Sequence, residues 1–327
     1  MIPERFITFA VPAGLFIIAI LAFWTDEPFT ITLTTRVAIL GLAAVGLNIA
    51  LGIGGLVSLG HAAFFGLGGY AMGILAYHAQ TYSPLTLGSL VIEGTKSMPV
   101  IWIVAVVTSA LAALAIGVLS LRTSGVYFIM ITLAFGQMLY YFSVSWSAYG
   151  GEDGLSIYLR NEFPGINTLV PIQFFGLCFI LLCLALVLQS RLRSSSFGLA
   201  LNAARQAPAR VETVGLNPVR LKLLAFVISG AITGLAGALY ADLNRFVSPS
   251  MFSWHLSGEL IVLIIIGGVG RLVGPVIGAA LFVALEHWLG GLTEYWHIGL
   301  GAILLGIVLF SRGGVIGFLT GKAGPNV

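Results

Sequence analysis

Apolar residues fall in long blocks separated by short stretches of Gly, Pro and charged residues. A helix rises 1.5 Å per residue, so about 20 apolar residues cross the hydrocarbon core of a bilayer. Ten segments meet or approach that length: 7–24, 35–53, 61–77, 99–121, 125–146, 171–190, 221–241, 257–270, 273–290 and 295–310. The eighth and ninth are short and share a turn around Arg271. The third starts from a Gly-rich break, GIGGLVSLG, read as a half-helix or a re-entrant piece near 52–61. The pattern predicts an all-α, polytopic membrane bundle of about ten transmembrane helices, forming one transmembrane domain over 1–327.

One stretch departs from the pattern. Residues 191–222 read RLRSSSFGLALNAARQAPARVETVGLNPVRLK and hold six of the fifteen Lys and Arg residues against one acid, Glu212. Ser194–Ser196 can cap a helix starting near Phe197. Pro208 suits the first turn of a second short helix, which would run to Val214 and stop at Gly215. Asn217–Pro218 then makes a turn into the next span. Positive residues here could serve topology alone, which needs no helical order. Two capped helices are more than topology requires, and they predict a docking element.

Composition narrows the class. The chain is 58% hydrophobic and 8% charged, with mean hydropathy +1.04. A soluble domain carries roughly 25% charged residues, so this chain could not cover a soluble surface. No basic tail or aromatic-interleaved patch suggests nucleic acid. Cys178 and Cys183 sit in one apolar run, and a five-residue offset turns them about 500° apart on a helix; they read as apolar packing. The first segment resembles a signal peptide, but its exit, WTDEPF, lacks a small-x-small cleavage pattern, and it is read as an uncleaved helix.

Charge orients the bundle. Arg5, Arg122, the 191–222 stretch, Arg271, Arg312 and Lys322 fall on one side of a ten-helix count. Asp26, Glu27, Glu93, Glu152, Asp153, Glu162 and Asp242 fall on the other, with Arg36, Lys96, Arg160 and Arg245. Lys and Arg mark the cytoplasmic side, which puts both termini inside.

Enzyme signatures fail. The five histidines show neither HExxH nor metal-ligand spacing, and no Ser lies in GxSxG. The tail RGGVIGFLTGK misses a phosphate loop, with Ile316 where the first Gly belongs and Ala323 where Ser or Thr is required. No catalytic, cofactor or metal site is expected on this chain. Ionisable groups within spans are the default functional candidates, since each costs at least ~2.5–3.5 kcal/mol to insert. They are few: Glu259 at the outer start of the eighth segment, Glu286 and His287 at the outer end of the ninth, and His61 opening the third. None is a mid-span carboxylate, which argues against a proton-coupled carrier. Asn48, Ser58, Thr132, Gln137 and Ser229 reach mid-depth, where each either lines a hydrated path or bonds to a neighbouring helix. Asn48, Ser58, His61, Gln137 and Glu259 are taken as candidate path residues. Among 42 glycines, Gly230 and Gly234, continued by Gly237 and Ala241, and Gly274 and Gly278 predict tight helix packing.

Four blocks carry a resemblance: LNIALGIGGLVSLGHAAFFGLGGYA (47–71), LRTSGVYFIMITLAFGQMLYY with GGEDGL (121–155), SFGLALNAARQAPARVETVGLNPVRLKLLAFVISGAITGLAGALYA (196–241) and SGELIVLIIIGGVGRLVGPVIGAAL (257–281). With them the chain resembles the permease subunits of branched-chain amino acid ABC importers, the leucine/isoleucine/valine M-type subunits in particular. The resemblance implies a heterodimer with a homologous permease, two cytoplasmic ATPase subunits that carry ATP and Mg, an external substrate-binding protein, and a bacterial inner membrane. It implies that 197–217 is the segment coupled to the ATPases, with Phe197, Gly198 and Gly215 matching the family pattern. Arg205, Arg210 and Glu212 complete the expected coupling set. Leu199 replaces a frequent Arg, and Arg210–Val211 replace paired alanines. Similar permeases take urea, amides or aromatic acids, and an ion-coupled carrier is the other class left open.

Overall fold

A computed structural model describes residues 4–320 except 83, 88, 89, 93, 159, 293, 294, 311 and 312. Glu93, Arg312 and Lys322, used above to orient the chain, lie outside the described residues. The helices among them are α1 (Glu4–Trp24), α2 (Pro28–Asn48), α3 (His61–Thr81), α4 (Met98–Ser120), α5 (Val126–Ser145), α6 (Pro171–Ser194), α7 (Ser196–Gln206), α8 (Pro208–Thr213), α9 (Pro218–Asn244), α10 (Trp254–Gly267), α11 (Gly274–Gly290), α12 (Trp296–Phe310) and α13 (Gly314–Thr320). A π-helical turn, Ile49–Ile53, extends α2. Among the described residues the strands form two antiparallel pairs, β1 (Leu85–Leu87) with β2 (Leu90–Ile92) and β3 (Leu155–Ser156) with β4 (Phe246–Val247).

Each of the ten apolar segments coincides with a helix, and the chain is an all-α polytopic membrane protein. Among the described residues six helices are long and apolar enough to span: α1, α2 with its π turn, α4, α5, α6 and α9. Helices α10, α11 and α12 are shorter. Several bounds differ from expectation for local reasons. Helix α2 starts at Pro28 and α9 at Pro218, since proline fits the first helical turn and extends each helix upstream. Helix α6 runs on to Ser194 and so carries Arg191 and Arg193 in its last turn. Helix α10 stops at Gly267, because Gly268 takes a left-handed φ of 114°.

The loop after α6 folds as its caps predict. Ser195 Oγ accepts the Gly198 N–H at 3.2 Å and starts α7. Gly215 takes φ 86° after α8, a turn that an L side chain would strain. Asn217 Oδ1 accepts the N–H groups of Val219 and Arg220 at the head of α9.

The chain separates into two compact units. The first comprises residues 1–56, 175–221 and 259–327. In it α2 is buried from Thr34 to Asn48 except at Arg36 and packs against α1 and α11. The second comprises residues 57–174 and 222–258. It is built on α3, which packs against α4, α5 and the turn at Pro249–Phe252. The small residues expected to bring helices together do so. A Cβ on Gly68 would overlap the Gly234 carbonyl, and one on Gly237 would overlap the Phe65 carbonyl. In the first unit, a Cβ on Gly278 would overlap the carbonyl of Leu263. Cys178 is buried, Cys183 is half-buried, and neither is in a disulfide.

Candidate functional site

Two helix breaks meet in the first unit. One is the π turn after α2. There the Gly54 N–H reaches back to the Ile49 carbonyl and the Leu56 N–H to the Ala50 carbonyl. The regular i→i−4 ladder is lost and carbonyls at its end need other partners. The other is the turn 268–273 between α10 and α11, where Gly268 and Gly270 both have positive φ. Gly52 and Gly270 touch: a Cβ on Gly52 would lie 2.8 Å from Gly270 Cα.

Asn48 stitches the breaks together. Its Oδ1 accepts the Gly270 N–H at 3.1 Å, and its Nδ2 donates to the Arg271 carbonyl at 2.9 Å. Both ends of the carboxamide are satisfied within one turn, and Asn48 is fully buried. Two arginines from the basic stretch close on the same point. Arg205 Nη1 donates to the Gly52 carbonyl at 2.9 Å, and Arg193 Nη1 donates to the Gly270 carbonyl at 3.0 Å. The stem of Arg205 lies along Gly55, whose φ of 69° and close approach both exclude a side chain. Leu201 and Ala204 are fully buried on the inner face of α7, and Leu201 lies beside Gly54. A cavity of about 400 Å³ opens alongside, walled by Arg193, Asn202, Arg205, Gln206, Gly52 and Gly270 among others.

The six expected coupling residues divide by position. Arg210 and Glu212 are exposed on or beside α8, and Gly215 is exposed at its end. Phe197 is half-buried. Gly198 is buried where α7 folds back on α6, and a Cβ there would overlap the Leu192 carbonyl. Arg205 is half-buried and turned onto Gly52.

The expected path residues do not gather in one place. Asn48 belongs to the stitched breaks. In the second unit Ser58 is buried with its hydroxyl accepting the Gly60 N–H at 3.2 Å. His61 is also fully buried, its Nε2 2.8 Å from Ser229 Oγ and its ring edge-on to Phe64 and Phe226. Next to it, the Ala62 N–H is taken by Ser257 Oγ at 2.8 Å. Gln137 is half-buried on α5. Glu259, on α10, is exposed. Among the described residues no group of three His, Cys, Asp or Glu side chains is placed to hold a metal ion.

Sequence reasoning missed two features. Arg193 read as a topological charge, and only the α6 extension to Ser194 points it at Gly270. It also gave no fixed charge pair in the bundle, yet Arg36 on α2 meets Glu286 on α11 at 2.9 Å, with side chains 33% and 21% exposed. The available signal was two opposite ionisable groups, each inside an apolar run, though 250 residues apart.

Comparison with known proteins fits this architecture. Residues 29–310 match a family described as branched-chain amino acid transport system / permease component. The chain is 27% identical to the high-affinity branched-chain amino acid transport system permease protein LivM of Salmonella typhimurium, over 92% of this chain and 74% of that protein. It is 26% identical to LivM of Escherichia coli with the same coverage. It is 25% identical to the autoinducer 2 import system permease protein LsrC of Yersinia enterocolitica, over 46% of this chain and 44% of that one. No solved structure matches the chain. With the match extending from the head of α2 to the end of α12, the chain belongs to the branched-chain amino acid transport system / permease component family.

Proposed function

We propose that this chain is the M-type permease subunit of an ATP-driven importer of branched-chain amino acids in a bacterial inner membrane. It spans the bilayer about ten times with both termini inside. It forms the path with a homologous permease and receives substrate from an external binding protein. Two ATPase subunits, which carry the ATP and Mg, grip the α7–α8 loop from below.

The observation that carries the reading is the ordered double helix at 196–213. Its inner face is seated through Leu201 and Ala204, whereas Leu199 and, just past α8, Val214 are 66% and 78% exposed beside Arg210 and Glu212. On an ordered loop that also presents Arg210 and Glu212, these apolar side chains offer a mixed surface that a partner can cover. The relatives named LivM support the substrate class, and the LsrC relative shows that likeness extends to permeases named for other cargo. ATP binding then biases access by contacts that differ between the two states of the loop.

The test is uptake into vesicles containing the whole complex and its binding protein. Leucine uptake should require internal ATP and survive an ionophore. Competition by leucine but not by urea or benzoate supports the substrate; the reverse order assigns a different cargo to the same machine. Ionophore-sensitive, ATP-independent uptake would place the chain among ion-coupled carriers. Replacing both Glu212 and Gly215 should lower uptake and substrate-stimulated hydrolysis together; unchanged coupled hydrolysis defeats the docking role.

A further inference from the structure

Two guanidinium groups from the cytoplasmic loop region end on neutral backbone carbonyls, and those carbonyls belong to the two residues where the helix breaks touch. Arg205 holds Gly52 at 2.9 Å and Arg193 holds Gly270 at 3.0 Å. Asn48 joins the same two segments from the other side. Carbonyls at a helix break are acceptors without an intrahelical partner. At membrane depth they must be satisfied by protein or by water in a cavity. The planar fork of arginine can reach such a carbonyl while its stem packs along bare backbone, as Arg205 does along Gly55. Topology needs positive charge in this stretch, but it does not need that charge aimed at a glycine carbonyl. Arg210 meets the topological need while remaining exposed.

We infer that Arg205 and Arg193 are positioning residues for transport, clasping the breaks at Gly52 and Gly270 so that both move as one body with α7. The inference rests on the reading that an ATPase moves this loop. No short covalent path joins α7 to either break: Arg205 is 153 residues from Gly52, and Arg193 is 77 from Gly270. The Arg205 bond, with Leu201 against Gly54, links α7 directly to the break after α2; Arg193, in the last turn of α6 just before α7, holds the α10–α11 turn to the same corner. A displacement of α7 therefore reaches the end of α2 and the α10–α11 turn together. Coupling of this kind requires a discrete element that both sites bias, and the clasped pair of breaks, moving as one body, is that element. The polar cavity beside it gives the guanidinium groups room to follow the movement hydrated.

The experiment uses the whole complex with Cys178 and Cys183 replaced by alanine. Nitroxide labels go on cysteines at the exposed Ala203 on α7 and at Val269 in the turn, and a second pair is placed at Ala203 and the exposed Ile17 on α1. Pulsed spin-resonance distances are read with and without trapped ATP. The expected result is a 203–17 distance that changes with nucleotide and a 203–269 distance that does not. In the Arg193→Gln/Arg205→Gln double variant the 203–269 distance should become nucleotide-dependent, and leucine taken up per ATP hydrolysed should fall about tenfold. Arg205→Lys, which keeps one donor, should fall less. A nucleotide-dependent 203–269 distance with both arginines present overturns the clasp. So does a double variant with uptake per ATP unchanged, or a hydrolysing complex in which neither distance responds; in these cases the importer reading stands. If no ATPase co-purifies with the wild-type chain, the importer reading itself fails and the clasp falls with it.

Discussion

The two units hold their centres by different means. In the second, α3, α4 and α9 touch backbone to backbone. Gly68 lies on the Gly234 carbonyl, Gly237 lies on the Phe65 carbonyl, and Gly230 lies against Ala113 and Phe64. Phe64, Phe226 and His61 fill the remaining space edge to face. In the first unit the central contact of Gly52 with Gly270 is held by side chains from elsewhere: Asn48, Arg193 and Arg205. Close packing of the first kind has one arrangement, because any shift creates overlap or void. A hydrogen bond to a charged group contributes about 1.5–3 kcal/mol and needs no close-packed wall behind it, so a contact of the second kind can be carried along with the loop that supplies the side chains. The second unit is built to stay, and the clasped breaks of the first are built to move together.

The sharpest way to break that comparison is to put a side chain into the packed centre. Gly68→Val or Gly237→Leu places carbon where a carbonyl already sits, and helix α3 or α9 must be displaced along its length. Overpacking costs typically about 1–3 kcal/mol and more where only backbone can yield. The expected outcome is loss of the folded chain, read as failure to purify in detergent or a collapsed thermal midpoint. A variant that folds with wild-type stability would show that the second unit tolerates rearrangement and remove the contrast.

The next effect is at the stitch. Asn48→Ala strands the Gly270 N–H and the Arg271 carbonyl, and each unpaired buried group costs about 1–3 kcal/mol. Asn48→Leu fills the volume without restoring either bond. Both variants should lose about 2–6 kcal/mol by that accounting, seen as a lower thermal midpoint. Uptake per ATP should fall further than stability alone explains. Equal loss of stability and uptake would reduce Asn48 to a structural tie.

How much of this was legible follows the same divide. Helix positions could be read, because most apolar blocks had the length a bilayer demands and the shorter ones were bounded by Gly and charged residues. The loop caps Ser195, Gly215 and Asn217 could be read, because capping is local chemistry. The glycine pairs of the second unit announced close packing by their spacing. The stitch and the clasp could not be found. Asn48, Gly52, Arg193, Arg205 and Gly270 are scattered over 223 positions, and a side chain bonded to a distant carbonyl leaves no period or motif. Asn48 did stand out as a polar residue at mid-depth that either lines a path or bonds to a neighbouring helix; the structure gives it two bonds. Arg205 stood out as part of a basic helix, and only the fold separates it from Arg210.

A smaller effect sharpens the comparison by moving a polar contact of the same type into the packed unit. Ser229→Ala removes the hydroxyl that meets His61 Nε2 at 2.8 Å. The loss should be about 1–2 kcal/mol, because one buried polar atom is left without its partner. Phe64 and Phe226 still pack edge to face against the ring and against each other, so the helix that carries His61 stays in place. Thermal midpoint should therefore drop modestly while uptake per ATP stays at the wild-type ratio. The same class of deletion in the first unit, at Asn48, is expected to change that ratio. If Ser229→Ala also uncouples hydrolysis from uptake, then polar contacts in both units take part in switching. The division between a fixed core and a clasped, movable one would then be the wrong way to describe this permease.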